Sequence, residues 1–249
     1  MYKKVPYYLK VIRVLLCELV NPFDCINLFV NKEIVLEFKN GIKLYCKEII
    51  ELLIIYETMF RDDYKVHDLK NPKYIIDVGG GIGDFSVFCA HRFPEAIVTV
   101  FEPGKASFKL LKKNILVNKL KNVVPIEAAV GNDPEYKLFM DEKNAQNSTN
   151  NYKNFQRSIT VKGMKLDDVI KDHVDLLKLD CEGGEYEILQ NLSLSAYKKI
   201  RSISIEYHNH IIADEDIKIA KILKEKGYII HSKHDPYNQN IGYMYAQKN

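Results

Sequence analysis

The sequence predicts an α/β fold: a mostly parallel, seven-stranded sheet with its last strand reversed, preceded by a helix and a β-hairpin. One observation behind this is the stretch Tyr74 to Ser86, YIIDVGGGIGDFS, in which an apolar, β-rich run enters three consecutive glycines with a fourth at Gly83. That pattern is a buried strand running into a turn, and FSVFCAHRF after it carries apolar residues at helical spacing. A second is the return of short apolar, β-branched runs between amphipathic ones, at Ala96 to Phe101, Val123 to Val130, Val174 onward and Ile200 to His210. A third is that acids stand where these runs end, at the edge where an open α/β sheet holds its ligands.

The 249 residues suit one domain with a sizeable core and an appendage, read as an N-terminal extension over 1–70 and a ligand-binding domain over 71–249. Lys and Arg number 36 against 33 Asp and Glu, and the net charge of +3 is too small and dispersed for a nucleic-acid footprint. Five cysteines, Cys17, Cys25, Cys46, Cys89 and Cys181, lack C-x-x-C spacing and read as reduced thiols of a cytoplasmic protein. Arg13 and Glu18 interrupt the N-terminal apolar run, which falls short of the ~18 apolar residues a span needs. Neither signal peptide nor membrane span is expected. Leu9, Ile12, Leu15, Leu16 and Leu19 share a helical stripe expected to pack on the body. Weak membrane-surface contact through Lys3, Lys4, Lys10 and Arg13 is the other use of this helix.

After that helix, EIVLEFKNGIKLYC reads as two alternating runs joined by a two-residue turn at Asn40-Gly41. Glu48 to about Phe60 has helical length, and Arg61 to Pro72 is a polar connector that names no chemistry. Past the glycine turn come a helix to Phe93, the strand ending at Phe101, and an amphipathic helix from Ser107 to Asn118. Glu135 to Met140 and Ser158 to Met164 alternate and predict an antiparallel insertion; the polar loop 141–157 at its tip reads equally as a substrate lid or a surface loop. Asp216 to Lys226 is a helix, and strands at Tyr228 to His231 and Tyr243 to Gln247 close the sheet as a hairpin.

The glycine spacing separates two ligand classes. A dinucleotide fingerprint wants G-x-G-x-x-G, but counting from Gly79 its third position falls on Asp84. The observed D-x-G-x-G-x-G of Asp77, Gly79, Gly81 and Gly83 instead resembles the first motif of class I S-adenosylmethionine-dependent methyltransferases, which have a Rossmann-like fold. Glu102 follows Gly83 by 102 − 83 = 19 residues, near the distance at which an acid closing the second strand meets a ribose. Glu127 and Ala128 end the third strand on the edge that would face adenine. Lys178, Asp180, Glu182, Gly183 and Glu185 surround the end of the fourth, and Glu206 and His208 alternate onto one face of the fifth. The acids either cap the next helix or face a substrate.

Together DVGGGIGDFS, FEPGKASFKLLKKNILVN, IEAAVGN, LDD and LLKLDCEGGEYEIL resemble the FkbM family of methyltransferases from about Tyr74 to His208. The most specific part is K-x-D-x-E-G-x-E at Lys178, Asp180, Glu182, Gly183 and Glu185, and one departure is Gly80, where the family pattern has alanine. The resemblance implies O-methylation of a hydroxyl on a sugar, glycan or similar small molecule. With S-adenosylmethionine along the strand ends, Gly79, Gly81 and Gly83 are expected to border it, Asp77 to orient its ammonium, Glu102 to bind its ribose and Glu127 with Ala128 to flank its adenine. Asp180, Glu182 and His208 then face the acceptor, with His208 or Asp180 as the base. A Mg²⁺ ion bridging carboxylates and a vicinal diol is left open, without a ligand spacing that argues for it. The alternatives are a non-catalytic nucleoside-binding protein of the same fold and, third, a nucleic-acid methyltransferase.

Overall fold

The computed structural model describes residues 5–30, 32–140, 147–149, 157–236 and 238–248. Helix α1 (Val5–Glu18) and a 3-10 segment (Pro22–Val30) lead into a hairpin, β1 (Ile34–Glu37) and β2 (Lys43–Cys46). The hairpin register pairs Glu37 with Lys43, and Phe38 N–H donates to Ile42 O at 2.8 Å. The connection is therefore Lys39-Asn40-Gly41, three residues rather than the expected two, with Gly41 at φ +90° closing it as glycine does in bulged hairpins.

Helix α2 (Ile49–Tyr56) continues as a π-helical turn (Glu57–Arg61) that stops at Asp62, left-handed at φ 54°. Then come β3 (Tyr74–Val78), α3 (Asp84–Arg92), β4 (Ile97–Phe101), α4 (Lys105–Val117) and β5 (Val123–Ile126). A short β6 (Ala129–Val130) pairs with β9 (Ser158–Met164), which pairs antiparallel with β7 (Glu135–Met140), the insertion the alternation predicts. Asn147 and Ser148 add a short β8 to β7; most of the 141–157 loop, and with it the lid reading, lies outside the described residues. The chain ends with α5 (Leu166–Val169), β10 (Val174–Leu179), α6 (Glu185–Asn191), α7 (Leu194–Lys199), β11 (Ile200–His208), α8 (Glu215–Glu225), β12 (Ile229–His234) and β13 (Ile241–Gln247).

The main sheet has seven strands in the order β5-β4-β3-β10-β11-β13-β12, all parallel except β13, which runs against both neighbours. Neighbouring residues of its strands point to opposite faces, so Ile75 and Leu176 feed one core while Ile76 and Leu177 feed the other. The first core is shared by α1, the hairpin, α2, α3 and α4, so the extension is built into one face of the sheet. Asn114 of α4 and Asn118, which caps its C-terminus, fix it there. Their side-chain carbonyls accept from Tyr45 N–H at 2.6 Å and Lys43 N–H at 2.8 Å, pairing the outer edge of β2. Helix α1 buries Tyr7, Val11 and Leu15, and Leu19 just after it is buried too, so of the expected stripe only Leu15 and Leu19 pack on the body while Leu9, Ile12 and Leu16 face solvent. All five cysteines are free thiols, with Cys17 exposed.

Candidate active site

Strand β3 delivers the chain into the glycine turn between the ends of β4 and β10. Gly79 N–H and Gly80 N–H both donate to Phe101 O, at 3.0 and 2.9 Å. Gly79 lies at φ +81°, and a Cβ there would stand 1.7 Å from Asp180 O, so only glycine lets the two strand ends meet. Gly81, at φ +53°, has nothing within 4 Å of its missing Cβ and presents bare backbone to an open crevice. At Gly80 a Cβ would meet Val100 Cγ2 at 2.2 Å, which explains the departure from alanine: the neighbouring strand has spent that space on a branched side chain. Gly83 lies off the crevice and lets α3 pack on Leu111 of α4.

The crevice opens into a cavity of about 360 Å³, within the size range of small-ligand sites. Gly79, Gly81, Glu102 and Ala128 border it. Glu102 accepts from Gly81 N–H at 2.9 Å and Gly104 N–H at 2.7 Å, one bond to each oxygen, which leaves lone pairs on both for a diol. Burial pushes its carboxyl up to about 7, against the pull of those two N–H groups.

Besides Gly83, two further expected contacts are not what the structure provides. Asp77 is fully buried beneath the turn and off the cavity wall, 3.0 Å from Lys178 Nζ and accepting from Ser86 Oγ at 2.7 Å. Lys178 in turn donates to Gly79 O at 2.8 Å. The acid holds the turn through a lysine rather than meeting a ligand ammonium. Glu127 is exposed and outside the cavity lining, because the chain turns between β5 and β6 so that Ala128 points in and its neighbour out.

At the other end of the cavity stand Asp180, Glu182 and Glu206. The Tyr64 hydroxyl lies 2.8 Å from Asp180 Oδ2 and 2.9 Å from Glu206 Oε2, and Tyr64 is buried against Phe85 and Tyr243. His208 is brought to this cluster but not to the cavity surface. Its ring lies 3.5 Å from Glu182, 3.6 Å from Glu185 and 3.7 Å from Glu206. Burial alone would lower its pKa, but the three carboxylates raise it well above the ordinary imidazole value. Buried off the cavity wall among three carboxylates, His208 is placed to balance their charge rather than to meet an acceptor hydroxyl, where the expectation had put a base. Glu185 is the helix-capping reading realised: its oxygens accept from Cys181 N–H at 2.6 Å and Gly183 N–H at 2.8 Å.

Sequence reasoning missed a further wall of the cavity, which the extension and the β12–β13 hairpin supply together. Tyr7, Glu57, Tyr64, Asp235 and Tyr243 line it, tied together by Arg61. The Arg61 guanidinium reaches Asp235 at 3.2 Å, Tyr243 OH at 3.1 Å and Glu57 at 3.3 Å, and also pairs with Asp63. Tyr7 OH donates to Glu57, whose carboxyl burial pushes up to about 7. The one available signal was the density of charge in ETMFRDDYK, directly after an apolar helix. As for a metal, among the described residues Asp180, Glu185 and His208 offer ligand atoms within 4.8 Å of one another. Glu185 is committed to backbone N–H groups and the set includes a nitrogen, which does not match the oxygen shell of Mg²⁺.

A sheet in this order, with a glycine turn after its central strand and an acid closing the next, is the Rossmann-like fold of class I methyltransferases. The chain belongs to the FkbM methyltransferase family: its residues 77–230 match the model described as the methyltransferase FkbM domain. It is 24% identical over 218 residues to methyltransferase sdnD of Sordaria araneosa, covering 73% of this chain and 83% of that one. To methyltransferase 1 of Beauveria bassiana (strain ARSEF 2860) it is 23% identical over 208 residues, covering 73% and 82%. The fold is similar to that of methyltransferase FkbM from Methylobacillus flagellatus KT, with a TM-score of 0.54 and 16% identity over 77% of this chain and 47% of that one. It is also similar to M. jannaschii TYW2 in complex with AdoMet, with a TM-score of 0.52 and 14% identity over 86% and 85%.

Proposed function

We propose that this FkbM methyltransferase methylates a hydroxyl oxygen of a sugar, glycan or similar small molecule. The observation that carries the reading is the Tyr64 hydroxyl between Asp180 and Glu206. One phenolic proton serves one carboxylate, so the second contact needs a proton held by the acids themselves. Burial, and then the charge of Asp180, push the Glu206 carboxyl well above its ordinary range, which supports Glu206 as the holder of that proton. Such a pair beside the cavity suits a weak nucleophile that must lose a proton as it reacts, and the carboxylates of Asp180 and Glu182 suit the neighbouring hydroxyls of a polyol.

S-adenosylmethionine supplies, when bound, a methyl carbon made electrophilic by its sulfonium. Gly79, Gly81, Glu102 and Ala128 would hold its nucleoside, Glu102 through the ribose hydroxyls. With the cofactor bound, Asp180 would take the proton that the acceptor hydroxyl gives up as its oxygen is methylated. Alignment of that oxygen by Glu182 supplies much of the rate. The test is to incubate the protein with S-adenosylmethionine and a panel of glycosides, measuring S-adenosylhomocysteine and methyl ethers by mass spectrometry. Product with at least one glycoside is expected; thermal stabilisation by the cofactor with no product across the panel would overturn the reading.

A further inference from the structure

We propose that α1 and the 3-10 segment after it dock the protein on an anionic lipid bilayer. Of the 17 large hydrophobic residues exposed among the described residues, nine lie between Tyr8 and Val30. On α1 they form a second apolar stripe beside the buried one. At ~100° per residue, Leu9, Ile12 and Leu16 fall within a sector of about 60°, and Arg13 and then Lys10 follow on its far side. The 3-10 segment extends this surface with side chains that stand almost free, Phe23 at 84% and Phe29 at 73% exposure. The patch is far more apolar than the scattered exposed side chains of an ordinary soluble surface.

Charge selects the occupant. Residues 1–32 hold five Lys and Arg against Glu18 and Asp24, and 5 − 2 = +3 is the entire net charge of the chain. The remaining 31 basic and 31 acidic residues cancel. A second copy meeting this patch through a two-fold axis would set Lys10 and Arg13 against themselves. Anionic headgroups complement them instead, while protruding phenylalanines suit the acyl boundary better than a flat protein face. No helix among the described residues is long and apolar enough to cross a membrane, so the mode is attachment to a surface. The patch also reaches the cavity: Tyr8 is part of its exposed face and of the cavity wall. Docking thus seats the cavity mouth at the lipid interface, whichever group the site methylates.

The experiment is co-sedimentation of the full chain with vesicles of phosphatidylcholine alone or with about 30% phosphatidylserine. Two variants accompany it, a triple Phe23→Ser, Ile26→Ser, Phe29→Ser and a double Lys10→Glu, Arg13→Glu. Wild-type partitioning onto anionic vesicles at least ~10-fold above neutral ones is expected, with each variant losing ~10-fold. Cofactor-induced thermal stabilisation, measured on the same samples, should be retained in both variants. Wild type left in the supernatant at low salt would overturn the proposal. So would a dimer in sedimentation equilibrium that the triple variant abolishes while vesicle binding is absent, since the face would then belong to a second copy.

Discussion

Lys178 Nζ stands 3.0 Å from Asp77 Oδ1 and 2.8 Å from the carbonyl of Gly79, wholly inside the protein. Nearby Asp77, Asp180 and Asp84 raise the lysine pKa against burial, and the ammonium joins β3, β10 and the glycine turn. Lys178→Met leaves Asp77 buried with only Ser86 as partner, and loss of a buried partner costs on the order of 3–5 kcal/mol. Asp77→Asn should cost less, because Lys178 keeps Asp180 at 3.5 Å. Denaturant unfolding of the two variants measures the difference, and equal losses would refute the asymmetry.

The glycines of the turn should separate stability from binding. Gly79→Ala places a methyl group 1.7 Å from backbone oxygen at a left-handed φ, and the strand ends must part. It should be strongly destabilised. Gly81→Ala meets nothing within 4 Å and costs only the left-handed penalty of roughly 1–2 kcal/mol, yet its methyl projects into the crevice. Calorimetric titration should show a folded Gly81→Ala with weakened S-adenosylmethionine binding.

Proton transfer is tested at Asp180 and Tyr64. Asp180→Asn should lower kcat at least ~10²-fold with cofactor affinity nearly unchanged. Tyr64→Phe removes the hydroxyl between two acids, so its kcat should fall less while the acid limb of its pH–rate profile moves. A Tyr64→Phe profile superimposable on that of wild type would remove the tyrosine from the proton path.

Stability should fall from about pH 5 toward about pH 8. Burial raises Glu102 and Glu57 from their ordinary 4.5 to about 7, and Asp84 from 3.8 to about 6. Between those values the folded chain binds more protons than the unfolded one, so raising the pH through the window favours unfolding. His208, raised by its carboxylates, acts with the same sign. Melting temperatures of the cofactor-free protein across this range check the slope; a rise with pH would contradict it.

The parts of the site legible in the sequence are those set by local chemistry. Glycine spacing located the turn, an acid at a strand end located Glu102, and alternation gave β7 and β9 to the residue. What escaped depends on where chains meet. Tyr64 touches Asp180 and Glu206, 116 and 142 positions away, from a connector that is merely polar when read alone. Asp77 and Glu127 flank the right turns, but pattern does not tell an inward carboxylate from one consumed by a lysine or turned to solvent. On α1 two apolar stripes lie side by side, and periodicity cannot say which one the body covers.

Asn114 grips Tyr45 of the hairpin with one side-chain atom and, at 2.8 Å, the carbonyl of Ile82 in the glycine turn with another. The appendage and the glycine turn are thereby riveted into one piece. A truncation beginning at β3 would not liberate a free-standing catalytic unit: it would strip the turn of its brace and the cavity of a wall.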